Sequence, residues 1–116
     1  MTDSIPRIAA LNDRIRLGLD SNARTVITAT CLATLSGDGR AVSEALAQAQ
    51  VLGAIRRYAF KPEDGAERAR GEFSIGDTIV RFKIDYYDLS LEWGSEDPAD
   101  LAATIRVMTI MLPADD

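Results

Sequence analysis

FSIGDTIVRFKIDYYDLSLEW, residues 73–93, is the stretch whose reading decides the fold. It carries five of the seven aromatic residues, so the core must be built around it. Phe73 and Ile75 lead into Gly76-Asp77, a glycine-first pair suited to a two-residue hairpin turn. Val80, Phe82, Ile84 and Tyr86 then alternate onto one face, because successive strand side chains point to opposite sides. Ile79, Arg81, Lys83, Asp85 and Tyr87 take the other face, which is therefore mostly polar. After a turn near Tyr87-Asp88, Leu89, Leu91 and Trp93 alternate against Asp88, Ser90 and Glu92. This pattern predicts a further strand anchored by Trp93. The whole reads as a β-meander.

Outward from the meander, residues 5–19 place Ile8, Leu11, Ile15 and Leu19 on one helical stripe, with Asn12, Asp13, Arg14 and Arg16 mostly outward. Asp3 or Ser4 serves as cap, and Pro6 fits the first turn. The β-branched run at residues 24–30 predicts a strand, while residues 31–35 fit either its extension or a turn. Residues 40–60 are rich in good helix formers. Their stripe of Val42, Ala45, Ala49, Leu52 and Ala59, widened by Leu46 and Ile55, suggests close packing on the sheet or the first helix. Residues 61–71 read as a charged, mobile loop. Asp97, Pro98 and Asp100 form a helix-start signal, and the apolar residues 104–112 suit a strand near the middle of the sheet. The expected architecture is α+β: one domain, residues 1–116, with an antiparallel sheet of four or five strands and two main helices on one face. The row Arg81, Lys83, Asp85 and Tyr87 would stay open.

Composition narrows the function. The single Cys31 excludes an internal disulfide framework and suits a reducing cytoplasm. No run approaches the roughly 20 apolar residues of a membrane span, and the N-terminus lacks a signal-peptide pattern. A cytoplasmic protein without membrane attachment is expected. The net charge of −5 is uneven. Residues 72–116 hold ten acidic side chains against Arg81, Lys83 and Arg106. That imbalance disfavours direct nucleic-acid binding, which needs clustered cations, and fits either a basic protein partner or simply solubility.

With no histidine, Ser-His, Cys-His and His-metal chemistry are excluded. Ser36-Gly37-Asp38-Gly39 lacks the Lys-Ser or Lys-Thr of a phosphate loop. No catalytic residue, metal or cofactor is assigned. Asp85, Asp88 and Glu92 lack the alternating ligand pattern of a calcium loop. Tyr87, flanked by Asp85, Lys83 and Arg81, has the composition of a binding surface. The candidate binding set is therefore Tyr87, Lys83, Arg81, Asp85, Asp88 and Glu92. Arg106, alone in an apolar strand, needs a partner if buried, and Asp85 or Asp88 is the expected mate.

Three pieces of this chain resemble the small bacterial family called domain of unknown function 3768. They are RIAALNDRIR at residues 7–16, KIDYYDLSLEWGSEDPAD at 83–100 and TIRVMTIML at 104–112. TVITATCLATL at 25–35 is similar more loosely. The resemblance implies no activity and no site residue. Families of this kind often sit on mobile genetic elements, which by analogy favours counter-defence or partner binding. The expected function is a non-enzymatic, acidic protein-binding module, in its sharpest form a phage- or plasmid-encoded inhibitor of a host defence or nucleic-acid-handling protein. The alternatives are a small enzyme with a carboxylate-tyrosine site at Asp85, Tyr87 and Asp88, and a structural homo-oligomer such as a homodimer.

Overall fold

Gly76 and Asp77 close a tight hairpin in the computed structural model, which describes residues 4–116. They join β2 (Arg70–Ile75) to β3 (Thr78–Tyr87), with Ile75 opposite Thr78. Gly76 sits at φ 58°, a left-handed conformation that costs a residue with a Cβ about 1 kcal/mol. β3 pairs antiparallel with β4 (Ile105–Met111), and β4 pairs parallel with β1 (Arg24–Ile27). The order is β1-β4-β3-β2. The fold is α+β as expected, but the sheet is mixed rather than antiparallel throughout. β1 runs straight into a helix, so it makes no hairpin and docks on the free edge of β4 instead.

Three helices, not two, cover the face bearing Val80, Phe82, Ile84, Met108 and Ile110. α1 (Ile5–Arg16) buries Ile8, Leu11 and Ile15. It stops three residues early, because Gly18 turns left-handed at φ 74° and Leu19 swings out to 60% exposure. Ser4 stands at the N-cap position without a side-chain cap bond among the described residues. Asp3, the other cap expected, lies outside the described residues. Asn12 and Arg16, expected outward, are buried at 0% and 7% exposure. Polarity misled there, since both carry hydrogen-bonding roles inside.

α2 (Ala29–Ser36) replaces the end of the expected first strand. Thr28 leaves the helical region at ψ 149° and its hydroxyl accepts from the Cys31 amide at 3.2 Å, which is the N-cap device. α3 (Ala41–Arg56) buries Ala47, Val51 and Ile55. The stripe Val42, Ala45, Ala49 and Leu52, expected in the core, lies on the opposite side of the helix, and Ala59 falls beyond its end. A helix apolar on every side gives periodicity no basis for choosing a face. No helix among the described residues is long and apolar enough to cross a membrane.

The charged segment 61–71, expected to be loose, is tied down. Tyr58 donates to Asp64 at 2.8 Å, and Asp64 accepts the Lys61 amide at 2.9 Å. Arg68 bonds Asp13 at 2.9 Å, and its guanidinium lies 4.3 Å from the Phe60 ring centroid. Arg16 lies over the same ring at 4.8 Å and donates to the Ile55 carbonyl, placing a cation at the C-terminal end of α3.

Candidate functional site

Alternation along β3 turns Arg81, Lys83, Asp85 and Tyr87 away from the helices, as the sequence predicts, and all four are half-buried. The row has two unlike ends. At one end Arg81 donates to Glu72 at 2.7 Å, while Asp116 gathers Lys83 at 3.2 Å, Arg81 at 3.4 Å and Arg70 at 3.7 Å. The Lys83 hydrogen bond, with the charges of Lys83, Arg81 and Arg70, holds the Asp116 carboxyl below its ordinary range. These cations are already engaged within the chain. At the other end, among the described residues, the side chains of Asp85 and Tyr87 have no hydrogen-bond or ion-pair partner.

Arg106 corrects the expected salt bridge. It lies opposite Tyr86 in the register, whereas Asp85 lies opposite Val107, so Arg106 faces the helices and Asp85 faces away. Arg106 is fully buried. Its Nε donates to Asn12 Oδ1 at 2.7 Å, its Nη2 donates to the Pro98 carbonyl, and its guanidinium lies 5.1 Å from the Tyr86 centroid. Among the described residues no carboxylate lies within ion-pairing distance, and Nη1 has no hydrogen-bond partner. Burial lowers its pKa, because the charged form is the one desolvation penalises.

Asn12 also donates to Tyr86 Oη at 2.8 Å and to the Glu67 carbonyl at 3.0 Å, and Tyr86 donates to Glu67 Oε1 at 2.7 Å. This network joins α1, the 61–69 segment, β3, β4 and the 97–100 loop. It is structural.

The same network predicts a pH response. Burial, opposed by the Asn12 hydrogen bond and helped by the one to Glu67, pushes the Tyr86 phenol up from 10 to about 12. A raised folded-state value means this stabilisation is fully present below pH 10 and is lost as pH rises through 12. In an ultraviolet titration, Tyr86→Phe should abolish the last phenol to ionise. An unchanged late phase in that variant would contradict the assignment.

The expected strand at residues 89–93 does not form. Asp88 instead organises a loop on itself. Its Oδ1 accepts from Ser90 Oγ at 2.6 Å, from the Ser90 amide at 3.1 Å and from the Glu92 amide at 3.3 Å. The Ser90 hydroxyl first, then the amides of Trp93, Glu92 and Ser90, hold the Asp88 carboxyl below its ordinary range. The Asp88 amide donates back to the Trp93 carbonyl at 2.8 Å, Tyr87 bridges Gly94, and Leu91 takes the left-handed φ of 62°. A non-glycine residue there stores strain of order 1–3 kcal/mol. Asp88 is the turn former expected of it. Trp93, however, is not an anchor: it stands 71% exposed, with Leu89 at 64%.

Glu92, Glu96, Asp97 and Asp100 are exposed along the same loop. Trp93, Asp88, Glu96 and Asp97 line a cleft of about 390 Å³, while Leu89 lines a second of about 430 Å³ with Arg24, Leu101 and Ile105. The helix-start signal also resolves differently. Asp100, not Asp97, caps the single turn Leu101–Ala103, accepting the Ala102 amide at 2.9 Å. Sequence reasoning missed Trp93 because the alternating pattern of a strand and an Asx-turn loop is the same. The available signal was its acidic flank.

The chain belongs to the family described as protein of unknown function (DUF3768), whose model matches residues 28–115, a span that contains the open sheet face and the Trp93 loop. No curated protein and no solved structure matches it.

Proposed function

We propose that the chain is a non-catalytic protein-binding module. It docks a basic partner on the Trp93 loop and the adjoining Asp85–Tyr87 end of the open sheet face. The observation that carries this reading is Trp93, 71% exposed among Asp88, Glu92, Glu96 and Asp97. An indole left in water wastes a large apolar surface, and aromatic residues dominate the energetics of interfaces. The loop's own hydrogen bonds fix the backbone that carries that indole before any partner arrives, which lowers the ordering cost of association. Tyr87 and Asp85 supply further unpaired polar groups beside it. The acidic rim selects a positively charged partner and speeds its approach. A protein with a nucleic-acid-binding groove presents such a surface, so acting as an acidic competitor for that groove is the specific role we favour. The carboxylate-tyrosine enzyme has less support. Asp85 and Tyr87 lie on an open face, whereas the Asp88 carboxylate turns into its own loop.

Affinity capture from a native lysate tests this by comparing the wild type with Trp93→Ala and with a triple Glu92→Lys, Glu96→Lys, Asp97→Lys variant. A protein retained by the wild type should be lost by both. On purification its dissociation constant should rise about thirtyfold with Trp93→Ala, and its association should slow as salt is raised. Equal capture and equal affinity by all three chains would refute the proposal.

A further inference from the structure

From residue 41 to residue 55, α3 carries one ionisable side chain, Glu44, and two apolar faces. Ala47, Val51 and Ile55 form the inner face. The outer face runs through Val42, Ala45, Ala49 and Leu52 at spacings of three, four and three, the seam of a helix pair. Leu46 widens it, and Arg56 ends it. Val42 and Leu46 are each 67% exposed and Leu52 37%. A helix apolar all round is ordinarily buried on all sides, yet nothing among the described residues covers this face.

We infer that a second copy of the same chain covers it, with the two α3 helices antiparallel about a twofold axis near Ala49. Charge argues for a copy rather than another partner. Each chain has a net charge of −5, concentrated in residues 72–116, so approaches that bring those regions of two copies together set acid against acid. The seam Val42, Ala45, Ala49 and Leu52 carries no charged side chain, so it offers nothing to attract the basic partner proposed above. A twofold arrangement also places Arg56 and Arg57 at the end of one α3 beside Asp38 and Glu44 at the start of the other, where Arg40 offsets one of those two carboxylates.

The small side chains of Ala45 and Ala49 let two helices approach closely. A groove of about 230 Å³ lined by Thr25, Ile27, Leu32, Gln48 and Leu52 opens beside the seam to take an apolar side chain of the copy.

Sedimentation equilibrium over a concentration series should give the wild type twice its 12.6 kDa mass. Ala49→Glu, which sets two carboxylates against each other at the axis, should weaken the dimer at least a hundredfold. Its circular dichroism and melting temperature at high dilution should match the wild type's, because Ala49 is exposed. Ala49→Cys should cross-link to itself under mild oxidation much faster than Gln50→Cys, which lies off the seam, while Cys31 is fully buried and stays silent. A wild type that is monomeric at all concentrations, an undiminished Ala49→Glu dimer, or equal cross-linking at both cysteines would each overturn the inference.

Discussion

Arg106→Ala is expected to destabilise the fold by about 3 kcal/mol, a large share of the 5–15 kcal/mol typical of a domain, and to lower the melting temperature by roughly 10 °C. Arg106 is the largest fully buried side chain, so truncation opens a cavity among Asn12, Tyr86 and the Pro98 carbonyl. It also strips donors from the buried Asn12 Oδ1, whose loss of partner costs about 1–3 kcal/mol, and from the part-buried Pro98 carbonyl, whose loss costs less. One term opposes these. The guanidinium has no carboxylate mate among the described residues, so deleting it also removes an unbalanced desolvated charge. The orphaned acceptors and the cavity together outweigh that relief. Arg106→Lys keeps the charge but cannot reach Asn12 and Pro98 in one plane, so it should fare little better. Asn12→Ala should be coupled to it, the double variant falling short of the sum by about 1–2 kcal/mol. Chemical denaturation measures all of these. An Arg106→Ala chain within 1 kcal/mol of wild type would show that the network carries no stability.

That network shows how far the sequence could be read. Thr104–Leu112 was recognisable as a central strand because it is apolar on both faces, and Arg106 was visibly a buried charge needing a partner. The partner was not visible. Asn12 lies 94 residues away on a helix whose polar residues all look outward by composition, and only packing tells a buried amide from a solvated one. The hairpin at Gly76-Asp77 and the outward row Arg81, Lys83, Asp85 and Tyr87 were legible for the opposite reason: they follow from local turn chemistry and a period of two.

Two misreadings share one cause. In α3 the apolar residues form two stripes, and in residues 88–93 alternation fits a strand and a closed loop equally well. Each pattern has two physical solutions, and the choice depends on tertiary context. For α3 it is Val51 and Ile55 that join the core cluster with Phe82 and Ile84, leaving the stripe Val42, Ala45, Ala49 and Leu52 outside. For Trp93 the Asp88 carboxylate captures its own loop amides before a strand can pair. The two surfaces we propose as interfaces, the Trp93 loop and the α3 seam, are therefore apolar groups that a core-seeking reading assigns to the interior.

Gly71→Ala should be about as damaging as Arg106→Ala, although alanine is normally the better residue in a strand. Gly71 is buried in β2 opposite Phe82. A Cβ there would stand 2.6 Å from Phe82 Cε1 and 2.6 Å from Cε2 and Cζ of Tyr58, inside any real contact distance. Neither ring has room to retreat. Tyr58 is fixed by its hydrogen bond to Asp64 at 2.8 Å and by the Glu72 amide, which donates to its hydroxyl at 3.2 Å. Its ring meets Phe60 edge-on at 4.9 Å and Phe82 at 5.3 Å. Overpacking a site of this kind costs about 1–3 kcal/mol. Breaking the Tyr58 hydrogen bonds to make room adds about 1 kcal/mol more, against a gain of under 1 kcal/mol from the stiffer unfolded chain. The net expectation is a loss of about 3 kcal/mol. Phe82→Leu removes the clashing Cε1 atom, so the Gly71→Ala, Phe82→Leu double variant should be more stable than the sum of its parts by 1 kcal/mol or more. Gly76→Ala is the contrasting control. Its Cβ meets nothing within 4 Å, so only the left-handed φ is penalised, at about 1 kcal/mol. Equilibrium denaturation of the four chains decides the matter: strict additivity, or a Gly71→Ala loss no larger than that of Gly76→Ala, would mean the aromatic cluster yields and the close approach of β2 to the Tyr58 and Phe82 rings is not what requires glycine.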